Sequence, residues 1–142
     1  MALMPERKNA PIPDGWVLQP FPETFSFHAG PFYFNDPDGQ TPGVGFVSGP
    51  QHANAGGMVH GGALMTLADM SLWDICRRRV GKLRAVTVTL NAEFVGKGEI
   101  GKFIEASGEA TKIGRSMLFA RGLVTCEGRT LLSFSGSLKR FE

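Results

Sequence analysis

The sequence predicts an α+β domain in which one antiparallel sheet curls around a single long central helix. Three features predict it: a helical apolar period from Gly61 to about Arg79, period-two alternation in the runs that follow, and glycine-marked turns between those runs. A chain of 142 residues is expected to form one domain with a sizeable core. Its 42% hydrophobic and 20% charged residues are ordinary for a globular protein, and a net charge of +2 gives no case for a nucleic-acid partner. Nineteen glycines and eleven phenylalanines suit a β-rich fold with tight turns and close backbone approaches.

Residues 1–28 are expected to form a proline-rich N-terminal arm and residues 29–142 the domain itself. Pro5, Pro11, Pro13, Pro20 and Pro22 remove donors and restrict the residues before them, so an extended segment is expected rather than a helix. Trp16, Phe21, Phe25 and Phe27 would pin this arm to the body or to a second subunit. Phe32–Phe34 reads as a short aromatic strand, Asn35-Asp36-Pro37-Asp38-Gly39 as a turn, and Val44–Ser48 as the returning strand.

The helix places Leu64, Leu67, Ala68, Ser71, Leu72 and Ile75 at helical spacing, while Met65, Met70, Trp73 and Cys76 fill other faces. Apolar groups around most of the cylinder call for cover on most sides, with a partner's help. Arg77, Arg78, Arg79 and Lys82 suit the C-terminal end, and Gly81 is a plausible stop. Asp74 is expected to be solvated or paired with these arginines. Beyond the helix, Val86, Val88, Leu90, Ala92 and Phe94 alternate with Ala85, Thr87, Thr89, Asn91 and Glu93, giving one apolar and one polar face. Ile104–Ala110 repeats that pattern, Met117–Cys126 follows, Glu127-Gly128 turns the chain, and Thr130–Leu138 closes it.

The two cysteines, Cys76 and Cys126, lack metal or redox spacing and are expected to be reduced packing residues. His28 and His52 share no ligand spacing, so no metal site is expected. No apolar run approaches bilayer length and none follows a basic start, which makes a cytoplasmic protein without membrane contact the expectation.

Chemistry concentrates in Asn54-Ala-Gly-Gly-Met-Val-His60-Gly61-Gly62, followed by Asp69 within the helix. Glycines at a helix start let a ligand approach the backbone, and the first helical N–H groups lack partners and carry partial positive charge. Such an end can hold an oxyanion. A carboxylate inside an apolar helix would be desolvated and more basic.

This pattern resembles that of the hotdog-fold acyl-CoA thioesterases, in the branch with the phenylacetic-acid-degradation thioesterase PaaI and the mammalian thioesterase-superfamily proteins. Ala85–Asn91, Gly114-Arg115 and Gly136 look like the family's later strands and turn, and the likeness spans roughly residues 30–140. The resemblance implies a hotdog fold, strand-paired dimers often assembled as a dimer of dimers, and active sites at the dimer interface. In such a site the Gly61 amide would hold the thioester oxygen, supported by Asn54. Asp69 from the other subunit would activate water as a general base, or attack as a nucleophile. Thr87 stands where relatives often carry Ser to hold the water, and its methyl group narrows that place. His60 would orient the loop or assist near the departing thiolate. Gly62 and Arg115 are candidates for holding coenzyme A, and the basic residues Arg77–Arg79, Lys82 and Arg84 for meeting its phosphates. The implied activity is hydrolysis of an acyl-CoA thioester with no cofactor. Two other classes share the scaffold: enoyl-thioester hydratases or dehydratases, and non-catalytic acyl-CoA sensors.

Overall fold

A computed structural model describes residues 11–141. The first ten residues of the expected arm, Pro5 among them, and the terminal Glu142 lie outside the described residues. The elements in order are β1 (Trp16–Leu18), α1 (Phe25–Ala29), β2 (Tyr33–Asn35), β3 (Val44–Val47), α2 (Gly61–Val80), β4 (Ala85–Phe94), β5 (Phe103–Ile113), β6 (Met117–Cys126) and β7 (Arg129–Arg140). All seven strands join one antiparallel sheet in the order β1-β2-β3-β5-β6-β7-β4.

The sheet wraps α2. Leu64, Leu67, Ala68, Leu72 and Ile75 of the helix are buried against Ile104, Ala106, Leu118, Val124, Leu132 and Leu138 of the strands. Gly136 permits the close approach: a Cβ there would run into Leu72 of α2 and the backbone of Thr89. The helix ends at Gly81, whose N–H donates to the Arg77 carbonyl. Both cysteines are free and buried.

The arm departs from expectation in part. Residues 16–18 form an edge strand paired with β2, and the Trp16 ring meets Phe103 edge-on at 5.0 Å. Phe21 packs against the core. The unforeseen helix α1, by contrast, leaves Phe25 and Phe27 exposed, so these two do not pin the arm within the protomer.

At the end of α2 the expected pairing of Asp74 with the arginines is present. Asp74 is fully buried rather than solvated. Its Oδ1 accepts from Nε of both Arg77 and Arg78, and its Oδ2 accepts from the Gly43 N–H at 2.9 Å. Arg78, with its side chain 1% exposed, also donates to the carbonyls of Asn35, Asp36 and Thr41. The cluster fastens the β2–β3 loop to the helix and satisfies a buried charge with hydrogen bonds on both oxygens. Arg77 and Arg78 are therefore occupied, whereas Arg79, Lys82, Arg84 and Arg115, the other basic residues considered for phosphate contact, stand exposed.

Strand β4 differs from the simple alternation. Its pairing with β7 shifts register between Thr87 and Thr89, with Thr87 opposite Leu138 and Thr89 opposite Ser137. A bulge of one residue reverses the facing of everything beyond it. Leu90 and Ala92 pack on the core as expected, but before the bulge Ala85 does so. Val86 and Val88, expected on the apolar face, are 50% and 53% exposed.

Candidate functional site

The Gly-rich approach is a compact loop held by its own polar groups. Asn54 Oδ1 accepts from the N–H groups of Gly56 at 2.9 Å and Met58 at 3.1 Å, the Asx geometry that closes a tight turn. Gly57 sits at φ +83, a left-handed conformation that side chains resist. Asn54 is exposed, and among the described residues its Nδ2 donates to nothing, so the amide faces outward with its donors free.

His60 is the N-cap of α2. Its Nδ1 accepts from the Gly62 N–H at 2.8 Å, which places the ring proton on Nε2. Of the two glycine amides at the tip, Gly62's is thus satisfied by the cap. The Gly61 N–H has no acceptor among the described residues. The ring of Phe94 stands beside it, near 3.2 Å from where a Gly61 Cβ would be.

Behind the cap lies a residue to which the sequence attached no role. His52 is buried, with Nδ1 accepting from the Gly49 N–H at 2.9 Å and Nε2 donating to the Ala29 carbonyl at 2.6 Å. Its ring packs on Phe46 at 4.5 Å, and its carbonyl accepts from the His60 N–H at 2.7 Å. Burial pushes the imidazole below its ordinary value, partly opposed by the carbonyls at Ala29 and Gly30. A lone histidine before a glycine loop carries no pattern that would have revealed this strut.

Asp69 lies two turns further along α2, partly buried. Thr87 lies just before the β4 register shift, and Thr87 Oγ1 donates to Asp69 Oδ1 at 2.6 Å. Both residues line a pocket of about 520 Å3 that Phe34, Met70, Trp73 and Leu138 make chiefly apolar. One carboxylate oxygen is oriented by the threonine while the other is free to take a proton or attack. Asp69 and Gly61 are eight residues apart on one helix, about 12 Å at 1.5 Å per residue, so within a protomer they cannot reach one carbonyl. Arg115 is exposed in the turn between β5 and β6.

A larger, more open concavity of about 1220 Å3 runs over β4–β7 past Met65 and Phe94. It contains the surface ion pair between Arg121 and Glu109, at 2.7 Å, but neither Asp69 nor Asn54 lines it.

One long helix wrapped by a seven-stranded antiparallel sheet defines a hotdog fold. The sequence profile of the thioesterase superfamily matches residues 56–133, more than half of the chain, and the chain belongs to that family. It is 36% identical over 87 residues to a Pseudomonas aeruginosa protein that carries an esterase name, a match covering 61% of this chain. The matched stretch spans 65% of that relative's length. Among solved structures, a variant of the phenylacetic acid degradation protein PaaI from Thermus thermophilus superposes with a TM-score of 0.72 at 23% identity, covering 82% of this chain and 98% of that one. A Bacillus halodurans protein crystallised with CoA superposes with a TM-score of 0.67 at 28% identity, covering 72% of this chain and 68% of that one. No helix among the described residues is long and apolar enough to cross a membrane.

Proposed function

We propose that this protein hydrolyses acyl-CoA thioesters, releasing a carboxylic acid and coenzyme A without a cofactor. The observation that carries the reading is the Asp69 carboxylate, oriented by Thr87 on the wall of an apolar pocket. The CoA bound by the Bacillus halodurans relative supports the choice of thiol.

Catalysis of this reaction needs a polarised carbonyl and an activated water. The Gly61 N–H, fixed by the His60 cap, is a preorganised donor for the developing oxyanion, and the free Asn54 Nδ2 can assist from the loop. Asp69 takes the water proton as the water oxygen bonds to the acyl carbon; collapse of the tetrahedral intermediate breaks the carbon–sulfur bond, and coenzyme A leaves as its thiolate. Attack by Asp69 itself, through an anhydride that water then opens, uses the same groups. In either form Asp69 of one protomer serves the Gly61 tip of another, because their separation along α2 forbids the pairing in cis. The exposed edge of β4, with Val86 and Val88 uncovered, suits pairing with a second copy and further assembly into a dimer of dimers. Arg115 remains a candidate for the coenzyme A moiety, whereas the Gly62 N–H is taken by the His60 cap, and we place the activity in the cytoplasm.

A panel of acyl-CoAs assayed for thiol release tests the reading, and release dependent on Asp69 is the expected result. Addition of water to an enoyl-CoA in place of thiol release would favour the hydratase class, and tight binding with no turnover the sensor class.

A further inference from the structure

The N-terminal segment reaches the pocket that holds Asp69. β2, one strand in from the β1 edge, and β4, the opposite edge of the sheet, both border the pocket beside α2. Met70 and Trp73 of α2 form its floor, and Ala85, Val86 and Leu138 form the wall on the Asp69–Thr87 side. The facing wall is Phe34 of β2 together with Phe21 and Ser26, which lie before the strand in the N-terminal segment.

This wall is fastened on both sides of Phe21. Before it, β1 pairs with β2 and the Gln19 N–H donates to the Phe32 carbonyl at 2.9 Å. After it, His52 Nε2 donates to the Ala29 carbonyl at 2.6 Å, and Gln51 Nε2 to the Gly30 carbonyl at 3.2 Å. The last two bonds come from the loop that leads into Asn54, so the segment is tied to the same loop that carries the amide tip. Phe21 is half-buried against the core, whereas Phe25 of α1 is 71% exposed and does not line this pocket.

We propose that Phe21 and Ser26 are specificity-determining residues: the N-terminal segment closes the pocket beside Asp69 and sets the width available to the apolar acyl group of the thioester. The proposal rests on the thioesterase reading for the nature of the ligand, but its geometry concerns the pocket alone. Truncating Phe21 opens the slot toward the segment, which favours long flexible acyl groups over flat compact ones that need contact on both faces. Enlarging Ser26 fills it.

Two non-hydrolysable thioethers of coenzyme A, phenacyl and undecyl, serve as probes. Their dissociation constants are read from quenching of Trp73 in a Trp16→Phe background. Phe21→Ala is expected to shift the ratio of the two constants at least tenfold toward the undecyl probe, and Ser26→Phe to weaken the undecyl probe at least tenfold. Phe21→Leu, which preserves apolar packing, should shift the ratio in the same direction as Phe21→Ala but by less. Phe25→Ala should leave the ratio unchanged. Ratios unaltered by Phe21 and Ser26 substitutions, or altered equally by Phe25→Ala, would overturn the proposal. Because binding is read without turnover, loss of all thiol release in the unmodified protein would count against the thioesterase reading while leaving this result interpretable.

Discussion

Thr87 Oγ1 donates to Asp69 Oδ1 at 2.6 Å, joining an edge strand to the central helix across 18 residues of sequence. Thr87 lies just before the β4 register shift, on the side of the strand next to α2, and the pair stays open to solvent. Replacing Asp69 by Asn is expected to lower kcat at least a hundredfold with little change in KM, the loss of a general base or nucleophile. Thr87→Val should lower kcat about ten- to a hundredfold, the rate equivalent of a charge-assisted hydrogen bond of about 1.5–3 kcal/mol, while Thr87→Ser stays near the parent rate. Steady-state kinetics with any turned-over acyl-CoA decide this; equal rates for the Val and Ser variants would remove the hydroxyl from the mechanism.

His60 holds the tip of α2 through its own ring nitrogen. His60→Ala should destabilise the protein by about 1 kcal/mol, the usual loss for an N-cap, and His60→Asn should restore most of that. Urea denaturation gives the stabilities. If the ring serves as a cap, kcat recovers with stability in the Asn variant; a kcat that stays as low as in the Ala variant would assign the ring a chemical step.

The Asp74 cluster makes a stronger claim on stability. Removing one partner leaves the buried Arg78 guanidinium and the partly buried Arg77 guanidinium without their counter-charge, and Asp74→Ala is expected to cost about 3–5 kcal/mol. Proteolysis should then cut first in the β2–β3 loop, which the cluster fastens. A loss below about 1 kcal/mol would contradict this account of the loop.

His52 gives the fold a pH dependence of definite sign. Burial depresses its folded value below the usual 6.5, so the native state favours the neutral ring. The contribution is fully present above about pH 6.5 and declines as pH falls from there toward the folded value. His52→Gln keeps an acceptor and a donor but cannot titrate. Urea midpoints measured from pH 7.5 to 5 should fall more steeply for the parent than for this variant, and parallel profiles would contradict the assignment.

Much of this was legible before any coordinates. The bounds of α2 follow from its apolar period and from Gly81, and β6 from its run of apolar residues between turns. The glycine-led tip with Asn54, His60 and Asp69 stands out because those residue types are close in sequence. What escaped notice depends on contacts distant in sequence. Asp74 was expected near the arginines, but its burial follows from the β2–β3 loop folding over it, which no local pattern encodes. The β4 register shift reverses the facing of the strand, and a bulge leaves no mark in an otherwise regular alternation. His52 draws its role from Ala29 and Gly49, and the N-terminal segment gains a place in the pocket only once β1 joins the sheet.

The central claim is that Gly61 of one protomer and Asp69 of another act on the same thioester, and complementation tests it most directly. Gly61→Pro removes the amide donor at the first helical position, where proline is tolerated, though its ring must be accommodated beside Phe94, and His60, at φ −63 and ψ 138, already has the backbone that precedes a proline. Co-expressed Gly61→Pro and Asp69→Asn chains, each inactive alone, should recover about a quarter of the parental kcat, since half of randomly paired dimers would carry one intact site of two. Activity no higher than that of the separate variants would contradict a shared site.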